Sequence, residues 1–240
     1  MKEVLYTIPM NDALNEDCEC PFCAIERDVE KDLLDFVLGS GSSYMEADVR
    51  EVTDREGFCR NHFKKMFAYG NTLGNAWILK THYMKMSREL DEQVKKFKPG
   101  KASILKKSEA NSMTEWVKEK ENSCYICKRF NDTYSRYIAT FFHMYKTEAD
   151  FKTRIAGSKG FCLSHFGDIM EGSDSYLNDK EKKDFYPMMF KLMQDNMDRL
   201  TEDVSWMVEK FDYRNKDADW KNSKDAVQRG MQKLKGGFYA

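Results

Sequence analysis

The feature that most limits what this chain can fold into is a cysteine and histidine pattern written twice. Cys20-Pro21-Phe22-Cys23 is followed by Gly57-Phe58-Cys59-Arg60-Asn61-His62-Phe63, and Cys124-Tyr125-Ile126-Cys127 is followed by Gly160-Phe161-Cys162-Leu163-Ser164-His165-Phe166. Between Cys23 and Cys59 lie 35 residues, and between Cys127 and Cys162 lie 34, so the motifs recur in spacing as well as in form. Recurrence of whole strings at a fixed period marks an internal duplication.

The duplication reaches past the motifs. Tyr83, Met86, Leu90, Val94 and Phe97 recur as Met197, Leu200, Val204, Val208 and Phe211, in steps of three and four that define one helix face. With only 4 Pro, 15 Met and few alternating apolar runs, the chain is predicted to be all-α, a duplicated helical repeat with pseudo-twofold symmetry. Each copy reads as a short helix, a helix opened by Cys-x-x-Cys (24–38 and 128–145), a loop, a helix opened by Cys-x-x-His, and a long amphipathic helix. The copies are placed at 1–98 and 112–211. Lys98-Pro99-Gly100 opens a linker over 99–111, and a tail over 212–240 carries a short helix. Ser112 to Glu115 reads as a capping box. The second copy is about ten residues longer, and a polar loop over 171–183 is expected to absorb them. In the tail, Asn222-Ser223 is read as a cap, with Val227, Met231 and Leu234 packing back onto the body.

Thiolate and imidazole are the donors zinc prefers. Cys20, Cys23, Cys59 and His62 in the first copy, and Cys124, Cys127, Cys162 and His165 in the second, each make a closed Cys₃His set, so two zinc ions are expected, one stapling each half. Gly57 and Gly160 would permit close backbone approach before the second motif. Spacing alone leaves the pairing open, because the half-sites can also exchange partners between copies. With four protein donors, no position remains for water or substrate, which points to structural rather than catalytic metal. An iron–sulfur cluster is the competing occupant. Cys-Pro-Phe-Cys also has the look of a glutaredoxin motif, but polar residues 15–17 stand where a strand should precede it. Ala24 and Lys128 stand where covalent haem attachment needs a His.

Other residues carry weaker signals. Cys18 has no partner in the second copy, where Asn122 stands, and reads as a packed thiol or a redox-sensitive one. His82 and His143 read as core or boundary histidines. Glu46 and Asp48, with Glu148 and Asp150, read as helix caps or as acceptors that orient His62 and His165. Met188, Met189, Met193 and Met197 read as core filling or a pliable groove. Lys95 to Lys107 carries six Lys and no acid, and the tail has seven basic against four acidic residues. Phe97, Tyr213 and Trp220 could stack bases there. With 39 basic and 40 acidic side chains overall, solvated linker and tail explain these charges without nucleic acid. No stretch is long and apolar enough to cross a membrane, and an N-terminus rich in acids argues against a signal peptide, so the cytoplasm is expected.

The two motif pairs, the string Tyr44-Met-Glu-Ala-Asp-Val-Arg50 and the ending Phe211-Asp-Tyr-Arg-Asn-Lys-Asp-Ala-Asp-Trp220-Lys-Asn-Ser-Lys-Asp-Ala226 together resemble domain-of-unknown-function family 6062, from Clostridium-like Gram-positive bacteria. The resemblance covers nearly the whole chain and implies that the eight cysteine and histidine positions are family features. It implies no activity. The sequence therefore predicts a zinc-binding module with a binding or regulatory role and no assigned catalysis. Its partner is an unknown protein or small molecule, sought first in a groove lined by both long helices. The alternatives are a redox or metal-dependent enzyme or sensor using a cluster or reactive thiolates, and a nucleic-acid binder.

Overall fold

The computed structural model describes residues 4–41, 43–98 and 111–238. Eleven α-helices and no strand occur among the described residues, so the all-α expectation holds. Their order runs α1 Val4–Asn15, α2 Pro21–Leu38, α3 Ala47–Glu56, α4 Arg60–Tyr69, α5 Thr72–Lys96, then α6 Ser112–Glu121, α7 Tyr125–Thr147, α8 Ala149–Ala156, α9 Leu163–Tyr176, α10 Asp179–Glu209 and α11 Ala226–Lys235. No helix among the described residues is long and apolar enough to cross a membrane. Of the linker over 99–111, only Asn111 lies within the described residues.

Several local expectations are corrected. Residues expected as loops between the motifs form α3 and α8, because each buries a stripe of its own: Phe151 and Ile155, four apart on α8, are fully buried, and Thr53 of α3 is buried beside partly covered Val49 and Val52. The ten extra residues do not make a loop over 171–183. α9 is four residues longer than α4 and α10 six longer than α5, while the turns between them stay equally short. A capping box does occur here, with Asn178 and Glu181 closing the start of α10. At α6 the cap is Asn111, whose side chain accepts from the Thr114 N–H, one residue before the Ser112 expected from sequence.

Two compact units result. One comprises Met1–Val29 with Thr133–Ala240 and the other Glu30–Asp132, so neither follows a single sequence copy. In the first, Phe22, Phe141 and Phe161 meet with ring centroids 5.9 to 6.0 Å apart, and Phe151 stands edge-on to Phe141 at 5.6 Å. All four are fully buried, each contributing about 1.5–3 kcal/mol of apolar burial. Met189 and Met193 of the methionine face fill core here. In the second unit, Val37, Leu38, Tyr44, Phe58, Met66, Ile78, Tyr125 and Ile126 form the core. The stripe shared by the long helices is not a shared core: Leu200 on α10 is buried, whereas its counterpart Met86 on α5 is only half-buried and Tyr83 and Val94 of the same stripe are exposed.

The tail packs by its polar face. Val227, Met231 and Leu234 of α11 are exposed, and Ala226, Gln232 and Lys233 are buried instead. The cause is Glu19, whose carboxylate is fully buried next to Cys20 and requires cations. Lys233 Nζ lies 3.3 Å from Oε2 of that carboxylate and donates to the carbonyls of Glu19 (2.7 Å) and Lys159, while Arg199 meets the same Oε2 and Arg229 lies 3.6 Å from Oε1. Ser223 does not cap α11; its hydroxyl donates back to the Trp220 carbonyl. The string after Phe211 wraps a second buried lysine. Lys210 Nζ donates to the carbonyls of Asn215, Lys216 and Ala218 at 2.6 to 3.0 Å and sits 5.0 Å above the Trp220 ring, which gives Trp220 a structural task.

Candidate metal centres

Each motif places its two donors at the same two positions of a helix N-terminus. Cys20, Cys59, Cys124 and Cys162 stand immediately before the first residues of α2, α4, α7 and α9, and Cys23, His62, Cys127 and His165 are the third residues of those helices. A residue at the cap and one three positions on lie on the same side of the first turn, which is why the x-x spacing converges on one point. The partial positive charge of a helix N-terminus also favours thiolate there. Cys59 and Cys162 have nearly identical backbone angles (φ −71°, ψ 163° and φ −70°, ψ 162°), and neither sulfur is spent on capping its helix. Gly57 and Gly160 precede them at φ +63° and +75°, left-handed values that a side chain would strain. At Gly57 an added Cβ would meet the His82 ring at 3.0 Å, and His82 in turn holds the Asp54 carbonyl through Nδ1.

The eight donors gather into two groups of four, and the grouping corrects the one-per-copy expectation. Cys20 and Cys23 meet Cys162 and His165 in the first unit; Cys59 and His62 meet Cys124 and Cys127 in the second. Each centre thus draws one half-site from each copy. Within both groups every donor atom lies within 4.8 Å of the others.

The separations fit a single tetrahedral ion. A zinc–sulfur bond near 2.3 Å sets a tetrahedral sulfur–sulfur edge of about 3.8 Å. Cys23 and Cys162 sulfurs are 3.9 Å apart, and those of Cys59 and Cys127 3.8 Å. His165 Nδ1 lies 3.2, 3.6 and 3.2 Å from the sulfurs of Cys20, Cys23 and Cys162, and His62 Nδ1 lies 3.3, 3.2 and 3.3 Å from those of Cys59, Cys124 and Cys127. An iron–sulfur cluster spreads its four protein donors over two or four irons and would hold the set farther apart than one shared ion does. Disulfide bonding needs about 2.05 Å. The glutaredoxin likeness of Cys20 to Cys23 has no strand before it among the described residues.

The outward ring nitrogens are also satisfied. His62 Nε2 is 3.2 Å from Glu30 Oε1, whose other oxygen accepts from Lys65, and His165 Nε2 is 3.1 Å from Glu26 Oε1. A carboxylate on Nε2 leaves Nδ1 as the donor lone pair. Glu46, Asp48, Glu148 and Asp150, read from sequence as caps or as acceptors for this task, are exposed; Glu46 and Glu148 do occupy the N-cap positions of α3 and α8, without a side-chain capping bond. Glu26 and Glu30 are the site residues that sequence reasoning missed; they sit inside α2 without a motif to distinguish them from other surface acids.

Without metal, the two groups hold their protons unevenly. Burial resists charge on His62, but hydrogen bonds to Cys124 and Glu30 outweigh it and bring the imidazole up to about 10. Burial likewise opposes ionisation of Cys124, and the His62 contact overcomes it, bringing that thiol down to about 6. Burial and then the Cys124 sulfur push Cys127 up to about 12. In the first unit His165 is raised to about 12, its Cys162 contact outweighing burial. Cys162 is strongly lowered, by Cys20 first. Imidazolium and thiolate therefore pair inside each group until a cation replaces the protons. Cys18 stands outside both groups with its thiol pushed up by burial, the opposite of an activated nucleophile. His82 and His143 belong to neither group.

A family model described as a family of unknown function (DUF6062) matches residues 1–240. No curated protein and no solved structure matches the chain.

Proposed function

The chain belongs to the DUF6062 family, whose function is unknown, and from its own donor sets we propose that it is a binding or regulatory module built around two structural zinc ions. The observation that carries this reading is the pair of four-donor groups, each with three sulfurs and one nitrogen at tetrahedral separations. Thiolate and imidazole donors favour zinc over hard cations, and a closed set of four leaves no site for water or substrate. Each ion would join the N-termini of two helices that the sequence keeps far apart, so its binding energy is folding energy. Such thiolates persist where thiols stay reduced, which fits a cytoplasmic protein. The near balance of 39 basic and 40 acidic side chains favours a protein or small-molecule partner over nucleic acid.

Elemental analysis with an ultraviolet–visible spectrum, on protein purified without air and without added metal, tests the proposal. Two zinc per chain and no visible band are expected. Iron with charge-transfer absorbance, or a folded protein free of metal, would overturn it.

A further inference from the structure

The two donor groups differ in how they meet solvent. In the first, Cys20, Cys23, Cys162 and His165 are all at most 3% exposed. The tail closes it: a Cβ on Gly236 would stand 3.4 Å from both the Cys23 and the Cys162 sulfurs, and Lys233, three residues earlier, is anchored on the Glu19 and Lys159 carbonyls. The backbone of Gly236 thus covers the sulfurs at contact distance, in a left-handed conformation (φ +75°) that a side chain would strain. In the second group Cys59 and Cys127 are only half-buried. Cys124 and Cys127 line a cleft of about 520 Å³, walled by Arg55, Lys120 and Lys128 against Glu56 and Glu119.

We propose that the centre formed by Cys59, His62, Cys124 and Cys127 is a reactive zinc–thiolate site whose Cys127 sulfur is attacked by soft electrophiles through this cleft, with loss of its ion, while the other centre stays inert. This rests on the zinc reading above. Zinc-bound thiolate keeps its nucleophilic lone pair, and access then decides which sulfur reacts. With a haloacetamide, Cys127 Sγ attacks the carbon bearing the halogen. The sulfur–carbon bond forms as the carbon–halogen bond breaks, and the halide leaves with its electron pair. No proton moves, because the sulfur is already a thiolate. The thioether produced is a poor zinc ligand, so the ion departs with three donors left.

The test treats the full-length, zinc-loaded Cys18→Ser chain with iodoacetamide, following zinc release with a chromophoric chelator and labelled cysteines by peptide mass spectrometry. Cys18→Ser removes the thiol outside both groups. The expected result is loss of one of the two zinc ions in a fast phase, with label on Cys127, while the second ion is retained and Cys20, Cys23 and Cys162 stay unlabelled. Release of both ions in one phase, or first labelling in the other group, overturns the proposal. Adding Asn131→Trp, which puts an indole into the cleft one helical turn after Cys127 and leaves all four donors in the sequence, should slow the fast phase severalfold with both ions still bound at the start; an unchanged rate overturns the cleft as the route. Protein that holds no zinc before treatment would instead overturn the underlying metal reading.

Discussion

The tautomer of each metal-facing histidine is decided by one glutamate. Glu30 and Glu26 accept from the Nε2 positions of His62 and His165, so both rings present Nδ1 to three sulfurs. Replacing Glu30 by Gln should keep the fold and weaken zinc at that centre by roughly 10–100-fold, read by competition with a chelator of known affinity. An unchanged affinity would remove Glu30 from the account. The proton inventory gives a second expectation. In the metal-free protein His62 at about 10 and Cys127 at about 12 are both protonated near neutrality, and each must release its proton to bind metal. Zinc affinity at this centre should therefore fall with falling pH, by about a hundredfold per unit for those two protons. A flat affinity between pH 6 and 8 would contradict it. The eight donors were legible in the sequence because a cap-and-third-residue pair leaves a short, fixed signature. The two glutamates were not, since a half-exposed acceptor inside a helix looks like any solvated acid until the opposing imidazole is placed.

Among the elements, α11 departs most from its sequence reading. Its apolar residues suggested an inward face of Val227, Met231 and Leu234, yet the buried Glu19 carboxylate turns Lys233 and Arg229 inward instead. Apolar periodicity could not anticipate this, because the charge being satisfied lies more than two hundred residues earlier in the chain. Lys233→Met should cost about 1–3 kcal/mol in thermal or denaturant unfolding, by leaving the buried Glu19 carbonyl and the partly buried Lys159 carbonyl without this donor and Glu19 short of a cation. It should also release zinc more readily from the Cys20 centre by freeing Gly236 from the sulfurs. Unfolding at the wild-type midpoint with unchanged zinc retention would show that α11 does not close that centre. Helices α3 and α8 were legible in part: Phe151 and Ile155 stand four apart, but segments of 10 and 8 residues between metal motifs read equally well as loops.

For the molecule as a whole, the order of the motifs in the chain does not give the order of the metal centres. Cys23 finds Cys162, 139 residues away, rather than Cys59 within its own copy. Closing that span instead of the shorter one costs about two further doublings of loop length, ~1.2 kcal/mol more of loop-closure entropy at this centre. The sequence left the pairing open for a physical reason: all four half-sites stand at the same two positions of a helix N-terminus, so spacing permits either partner and only the packing within each compact unit selects between them. The all-α class and the duplicated order of helices were readable from pattern, while the division into units that cut across the copies was not. The most direct measurement is zinc stoichiometry by native mass spectrometry on two double variants. With crossed centres, Cys23→Ser with Cys162→Ser damages one centre and retains one zinc, whereas Cys23→Ser with Cys59→Ser damages both and retains none. One zinc in the second variant and none in the first would contradict the crossed arrangement.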